Sequence, residues 1–141
     1  LTTDIVAFRD GDYVPDLSNS DAAAGMRHVS AAVARKLHAI TGCDLKPEEI
    51  DPQLQCETMT INSTPYPLAN IRAEALTALG SRIAGFVQRN ASGLNLSGII
   101  LAGGGADYVH EYISSAGLPA VHLSPNARRA NVEGAYSLIG D

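Results

Sequence analysis

Three consecutive glycines, Gly103, Gly104 and Gly105, are the residues of this chain whose type and spacing first suggest chemistry. They follow the apolar run Ile99, Ile100, Leu101 and precede Val109, Tyr112 and Ile113, which recur at helical spacing until Gly117. The pattern predicts a strand-to-helix junction. At such a junction the free N–H groups of the first helical turn and the positive end of the helix dipole favour an anion, and residues without side chains let a ligand lie against the main chain. A phosphorylated ligand is one reading, and a tight β–α turn in an ordinary α/β domain is the other. The dinucleotide fingerprint does not fit, because Tyr108 stands where its third glycine would be. A P-loop would need a Gly-Lys-Ser/Thr sequence, which occurs nowhere in the chain.

Other reactive side chains form no such cluster. His28, His38, His110 and His122 are scattered, and Cys43 and Cys56 lack metal-ligand spacing. The histidines therefore read as structural or solvated, and the thiols as reduced, the state expected of a cytoplasmic protein. With 45% hydrophobic and only 18% charged residues the chain is globular, and its 141 residues suffice for one sizeable core or for one domain with a small insertion. A net charge of −5 without any Lys/Arg run argues against direct nucleic-acid binding. No stretch approaches the roughly 20 apolar residues of a membrane span, so no membrane partner is expected. The chain opens on Leu1 and runs straight into "TTDIVAF", which reads as a start in mid-strand, cut from a longer polypeptide.

The elements that must position the glycines can be read from periodicity and punctuation. Ile5 to Arg9 and Asp12 to Leu17 read as a β-hairpin turned by Asp10-Gly11. Ser20 reads as the N-cap of a first helix marked by Met26, Val29, Val33, Leu37 and Ile40 and ended by Gly42. Pro47-Glu48-Glu49 starts a short second helix reaching about Leu54. The stretch from Glu57 to Pro67, with two prolines, reads as one edge strand or an extended connector. A long helix carries Leu76, Leu79, Ile83, Phe86 and Val87 on one face and ends near Ser92-Gly93. A short strand from Ala120 to Leu123 and a last helix with Asn131, Val132, Tyr136 and Ile139 follow the glycine unit. This order predicts an α/β fold whose mixed, mainly parallel sheet is opened by the hairpin. Residues 1–20 and 68–141 form its main subdomain, and residues 21–67 form a small, mostly helical insertion.

Four phrases in this order resemble one superfamily. "TTDIV" (Thr2 to Val6) is similar to the end of the second phosphate loop of actins, heat-shock chaperones and sugar kinases, and "LAGGGAD" (Leu101 to Asp107) to their adenosine motif. "ANVEGAYSLIGD" (Ala130 to Asp141) resembles their C-terminal helix, and "AAAGMRHVSAAVARKL" (Ala22 to Leu37) the entry into the small subdomain of prokaryotic actin-like proteins. The chain most resembles the C-terminal half, nucleotide-binding subdomain II, of plasmid-segregation actins of the ParM/StbA type and related archaeal proteins.

The resemblance implies a ribonuclease H-like, actin-like subdomain and an ATP/ADP site with Mg2+. It implies that Gly103, Gly104 and Gly105 receive the ribose and α-phosphate, that Ala106 keeps the wall beside the purine low, and that Thr2 and Thr3 face the β- and γ-phosphates. Asp4 would lie near the magnesium ion through waters, and Gly25 would bring a second backbone segment to the nucleotide. Arg72 could flank the purine or be an ordinary solvated arginine, and it is not counted in the site. The parent protein would be an ATPase that polymerises with copies of itself and reaches plasmid DNA through an adaptor protein. This half alone would be inactive, because the leading Asp and Gly of its phosphate loop and the other wall of the cleft are not in the sequence. A phosphotransferase or enzyme-reactivating member of the superfamily, or a non-catalytic interaction module, is the alternative.

Overall fold

The structure is a computed structural model that describes residues 3–130. Thr2 and the last predicted helix, with Asn131, Val132, Tyr136 and Ile139, lie outside the described residues.

The chain opens with β1 (Thr3–Ile5), β2 (Phe8–Arg9), β3 (Asp12–Tyr13) and β4 (Asn19–Asp21). β2 and β3 form the predicted hairpin, with Asp10 and Gly11 at φ 54° and 92°, the pair of positive angles a two-residue turn with native twist requires. Phe8 stands opposite Tyr13 on this hairpin, their ring centroids 6.2 Å apart, and both side chains are exposed. β1 pairs antiparallel with β4, so that Thr3 faces Asp21, Asp4 faces Ser20 and Ile5 faces Asn19. Ser20 is therefore a strand residue and not the cap of the first helix. Pairing with β1 claims its backbone, while its hydroxyl donates to Asp4 Oδ1 at 2.5 Å.

The first helix, α1 (Met26–Thr41), starts after Gly25 in extended conformation and ends at Gly42. Its Val29, Val33 and Leu37 are fully buried, whereas Ile40, expected on the same face, is exposed near the helix end. The buried Ser30 donates its hydroxyl to Asp51. Pro47 starts the short α2 (Pro47–Ile50), which passes into a 3-10 turn over Asp51–Gln53. The predicted single edge strand is instead a hairpin of β5 (Thr58–Ile61) and β6 (Thr64–Pro67). Asn62 and Ser63 make its turn at φ 48° and 66° without any glycine. Both prolines fall in β6, which pairs only with β5, so their missing N–H groups face an open edge.

α3 (Ala69–Asn90) buries Leu76, Leu79, Ile83 and Phe86 as its period dictates, and it packs against both α1 and α4 (Ala106–Ser114). At the crossing of α3 and α4, Gly80 lies so near Tyr112 that an added Cβ would sit 2.7 Å from the Tyr112 Cβ. β7 (Ile99–Leu101) and β8 (Val121–Leu123), joined through α4, are parallel. Both antiparallel and parallel pairing are present, but the expected mainly parallel sheet is not: among the described residues there are four separate two-stranded ladders, of which only β7–β8 is parallel, and β2–β3 and β5–β6 are two-residue hairpins, whose short connections permit antiparallel pairing alone. One apolar cluster runs from Ala24 through α1, Ile50, Leu54, Ile61 and α3 to Val109 and Ile113 of α4.

Candidate functional site

The glycine unit sits where the sequence places it, between β7 and α4. Gly103 has φ 103°, the one member of the trio in the left-handed half of the map, and its N–H donates to Ala127 O at 2.6 Å. This bond ties the turn to the segment that follows β8, so both loops lie at the carboxyl ends of parallel strands, the usual position of ligand crevices in such folds. Gly105 is the N-cap of α4. Its carbonyl accepts from the N–H groups of Tyr108 and Val109, at 3.1 and 3.3 Å. An added Cβ on Gly104 would meet none of the described residues within 4 Å. Among the described residues the amides of Gly104 and Gly105 are left without a backbone partner. Ala106 is buried in the first turn of α4.

A second helix start meets this one. A Cβ on Gly105 would lie 2.7 Å from Cγ of Met26, the first residue of α1, so the beginnings of α1 and α4 are in contact. Gly25 precedes Met26, and its carbonyl accepts the His28 N–H at 2.9 Å. Thr3 joins them by donating its hydroxyl to the Ala24 carbonyl. Thr3, Gly25 and Gly105, drawn from three distant parts of the sequence, thus come together through Ala24 and Met26. Each helix start contributes unpaired N–H groups and a partial positive charge, which together suit a polyanion.

Asp4 is set apart from that junction. Successive strand side chains point to opposite faces, so Asp4 turns away from the Thr3 side and meets Ser20, its carboxylate exposed. It offers hard oxygen ligands of the type magnesium takes. Arg72 is engaged elsewhere, its Nη1 donating to the carbonyls of Leu54 at 2.5 Å and Cys56 at 3.1 Å.

Sequence reasoning missed the residues that hold this junction together. Asp21 closes β4, accepts the Ala23 N–H at 2.9 Å and forms a two-point ion pair with Arg82 of α3, at 3.0 and 3.1 Å. The Arg82 guanidinium, with help from the Ala23 N–H, holds the Asp21 carboxyl below its ordinary value, and the carboxylate raises Arg82 in turn. Tyr108, one turn into α4, accepts a hydrogen bond from Gln55 Nε2 at 2.5 Å and so bridges the glycine turn to residues 54–56. An aromatic residue three positions after a glycine run was the available signal for Tyr108. For Asp21 and Arg82, 61 residues apart, sequence carries none.

Depressions lined by described residues include two of note. One, of about 510 Å3, borders the glycine turn and is lined by Asp107, Ser124, Asn126, Arg128 and Arg129, with an Arg128–Asp107 ion pair at 3.3 Å on its wall. The other, of about 290 Å3, lies at the far end of α3 between Val87, Leu94, Leu96 and Leu118. No helix among the described residues is long and apolar enough to cross a membrane.

The model for the C-terminal region of archaeal actin homologues of the MreB-like family matches residues 1–115. The chain belongs to this archaeal MreB-like actin family. Solved actin-like structures agree with the fold. The archaeal actin homologue Ta0583 superposes with a TM-score of 0.87 at 19% identity over 99% of this chain and 45% of its own. A ParM from Clostridium botulinum, solved as a 15-stranded filament, gives 0.80 at 20% identity over 97% of this chain and 42% of its own. Bacillus thuringiensis ParM with ADP gives 0.70 at 12% identity over 92% and 40%. The MreB-like chain thus spans less than half the length of the solved structures it matches. No curated protein matches the sequence. The actin-like α/β fold inferred from the four phrases is the fold observed.

Proposed function

We propose that this chain is the nucleotide-binding C-terminal portion of an actin-like ATPase that binds ATP or ADP with Mg2+ and polymerises to segregate plasmid or other DNA through an adaptor protein. The observation that carries the reading is the meeting of Thr3, Gly25 and Gly105 at the starts of two helices, in a family some of whose structural relatives are solved with ADP. In this arrangement the open side of Gly104 admits ribose and α-phosphate. The backbone around Thr3 and Gly25 lies on the side of the outer phosphates, and Thr2, assigned to them by the family resemblance, is a further donor in this reading. The Thr3 hydroxyl, engaged with Ala24, serves to fix that backbone. Asp4 is the residue to hold hydrated Mg2+, which neutralises developing charge on the transferred phosphoryl group.

Residues 1–20 with 68–141 form the α/β subdomain in this reading, and residues 21–67 the inserted one. Self-association is suggested by the filament solved for a relative, and the acidic balance of −5 supports leaving DNA contact to an adaptor. The test is ATP-dependent assembly of the complete protein, followed by light scattering and electron microscopy. Filaments that appear with ATP and dissolve as it is consumed are expected. A protein that binds no nucleotide and scatters equally with and without ATP would overturn the reading.

A further inference from the structure

The junction of Thr3, Gly25 and Gly105 is braced from outside by one ion pair. We propose that Asp21, gripped by Arg82, is a positioning residue that sets the phosphate side of the nucleotide site by fixing β1 against the entry into α1. The inference rests on the nucleotide-binding reading above.

Asp21 occupies a node. It stands directly across from Thr3 in the β1–β4 ladder. Its Oδ1 takes the Ala23 N–H and so bends the chain toward Gly25, while Thr3 closes the same bend by donating to Ala24 O. Its two oxygens accept from Arg82 Nε and Nη2 in a fork, a geometry that fixes orientation as well as distance. The Asp21 side chain is 14% exposed and that of Arg82 50% exposed, so the carboxylate is the more sheltered, partly enclosed partner and the arginine reaches in from the surface. Arg82 is mounted on a rigid support, because its neighbours Leu79 and Ile83 are buried in the α3 core contact. A second tie, Asn19 Nδ2 donating to Asn90 Oδ1 at 3.0 Å, fastens the other end of β4 near the end of α3. Neither Asp21 nor Arg82 belongs to the proposed nucleotide contacts. Their effect passes through Thr3 and Gly25.

The ribose and α-phosphate end of the glycine turn is anchored apart from this brace, since Gly103 is tied to Ala127, and only Gly105, packed on Met26, touches the braced entry into α1. The test follows from that separation. Equilibrium binding of ATP and of AMP is measured for the complete protein as wild type, Arg82→Ala, Arg82→Lys, Asp21→Asn and Asp21→Ala, alongside the thermal midpoint without nucleotide. Arg82→Ala and Asp21→Ala should weaken ATP by about tenfold or more, as expected for losing a partly enclosed charge-assisted bond. AMP, held through ribose and α-phosphate at the glycine turn, should stay within about twofold, the range of changes remote from a site. Arg82→Lys keeps the charge without the fork, and Asp21→Asn keeps the acceptor for Ala23 without the charge; both should fall between. These milder variants carry the test if an alanine variant does not fold. Unchanged ATP affinity in Arg82→Ala or Arg82→Lys would overturn the proposal, as would a parallel loss of ATP and AMP, which marks general loosening. A wild-type protein that binds neither nucleotide would refute the nucleotide-binding reading itself, and the positioning role with it.

Discussion

At the crossing of α3 and α4 a Cβ on Gly80 would meet the Tyr112 Cβ at 2.7 Å and its backbone carbon at 3.2 Å, whereas at the start of α4 a Cβ on Gly104 would meet none of the described residues within 4 Å. Both places dispense with a side chain, yet in the first the protein itself fills the space and in the second the described residues leave it open. Packing needs explain Gly80 completely. They do not explain Gly104, and that surplus is what the ligand reading accounts for. Between the extremes stand Gly103, which has room but a positive φ, and Gly105, whose obstacle is the movable side chain of Met26.

The contrast predicts a graded series of substitutions, best measured as thermal or denaturant stability together with nucleotide binding. Gly80→Ala should be the most destabilising, by about 1–3 kcal/mol, because the atoms in the way include helix backbone that cannot step aside. Its binding per folded molecule should be close to wild type. A stable Gly80→Ala protein would mean that the two helices can separate freely. Gly103→Ala should cost about 1–2 kcal/mol, the strain of holding an L-residue in the left-handed region. An Asn at the same position should recover part of that loss, and equal stability of Gly103→Ala and wild type would refute the assigned backbone.

Gly105→Ala should lose less than about 1.5 kcal/mol, since Met26 can turn away, as methionine does readily. Pairing it with Met26→Ala should remove the clash, which a double-mutant cycle would detect as coupling. Gly104→Val should change stability least, within about 0.5 kcal/mol as for open surface positions, and yet abolish nucleotide binding in the complete protein. Circular dichroism checks its fold and a fluorescent nucleotide its site. A Gly104→Val protein that binds ATP with wild-type affinity would reduce the glycines to a turn and sink the functional reading.

Local punctuation carried much of this structure in the sequence. The period of α3, the Pro47 start of α2, the Asp10-Gly11 turn and the Ile99 to Gly117 unit all follow from short-range chemistry, and all appear. The misreadings share one cause. Ser20 has the chemistry of a cap, but pairing with Asp4, 16 residues away, draws it into a strand. Asn62 and Ser63 turn a hairpin with no glycine to announce it, because the pairing of Met59 with Tyr66 and Thr60 with Pro65 holds them there. The candidate site divides along the same line. Gly25 and Gly103 to Gly105 were legible as residue types, while Asp21, Arg82, Ala24 and Met26, which set their relative placement, become visible only when distant segments meet.

The apolar cluster described above takes no notice of the boundary proposed between residues 21–67 and the rest of the chain. Val29, Val33, Leu37 and Ile61 from one side and Leu76, Leu79, Ile83 and Ile113 from the other belong to the same interior. Such an interior melts as a unit, for neither part retains a complete core once the other has unravelled. Slow hydrogen exchange should therefore extend across α1, α3 and α4 with similar protection. Residues 21–67, proposed as an insertion, would then be an equal partner in folding of the helices they pack on.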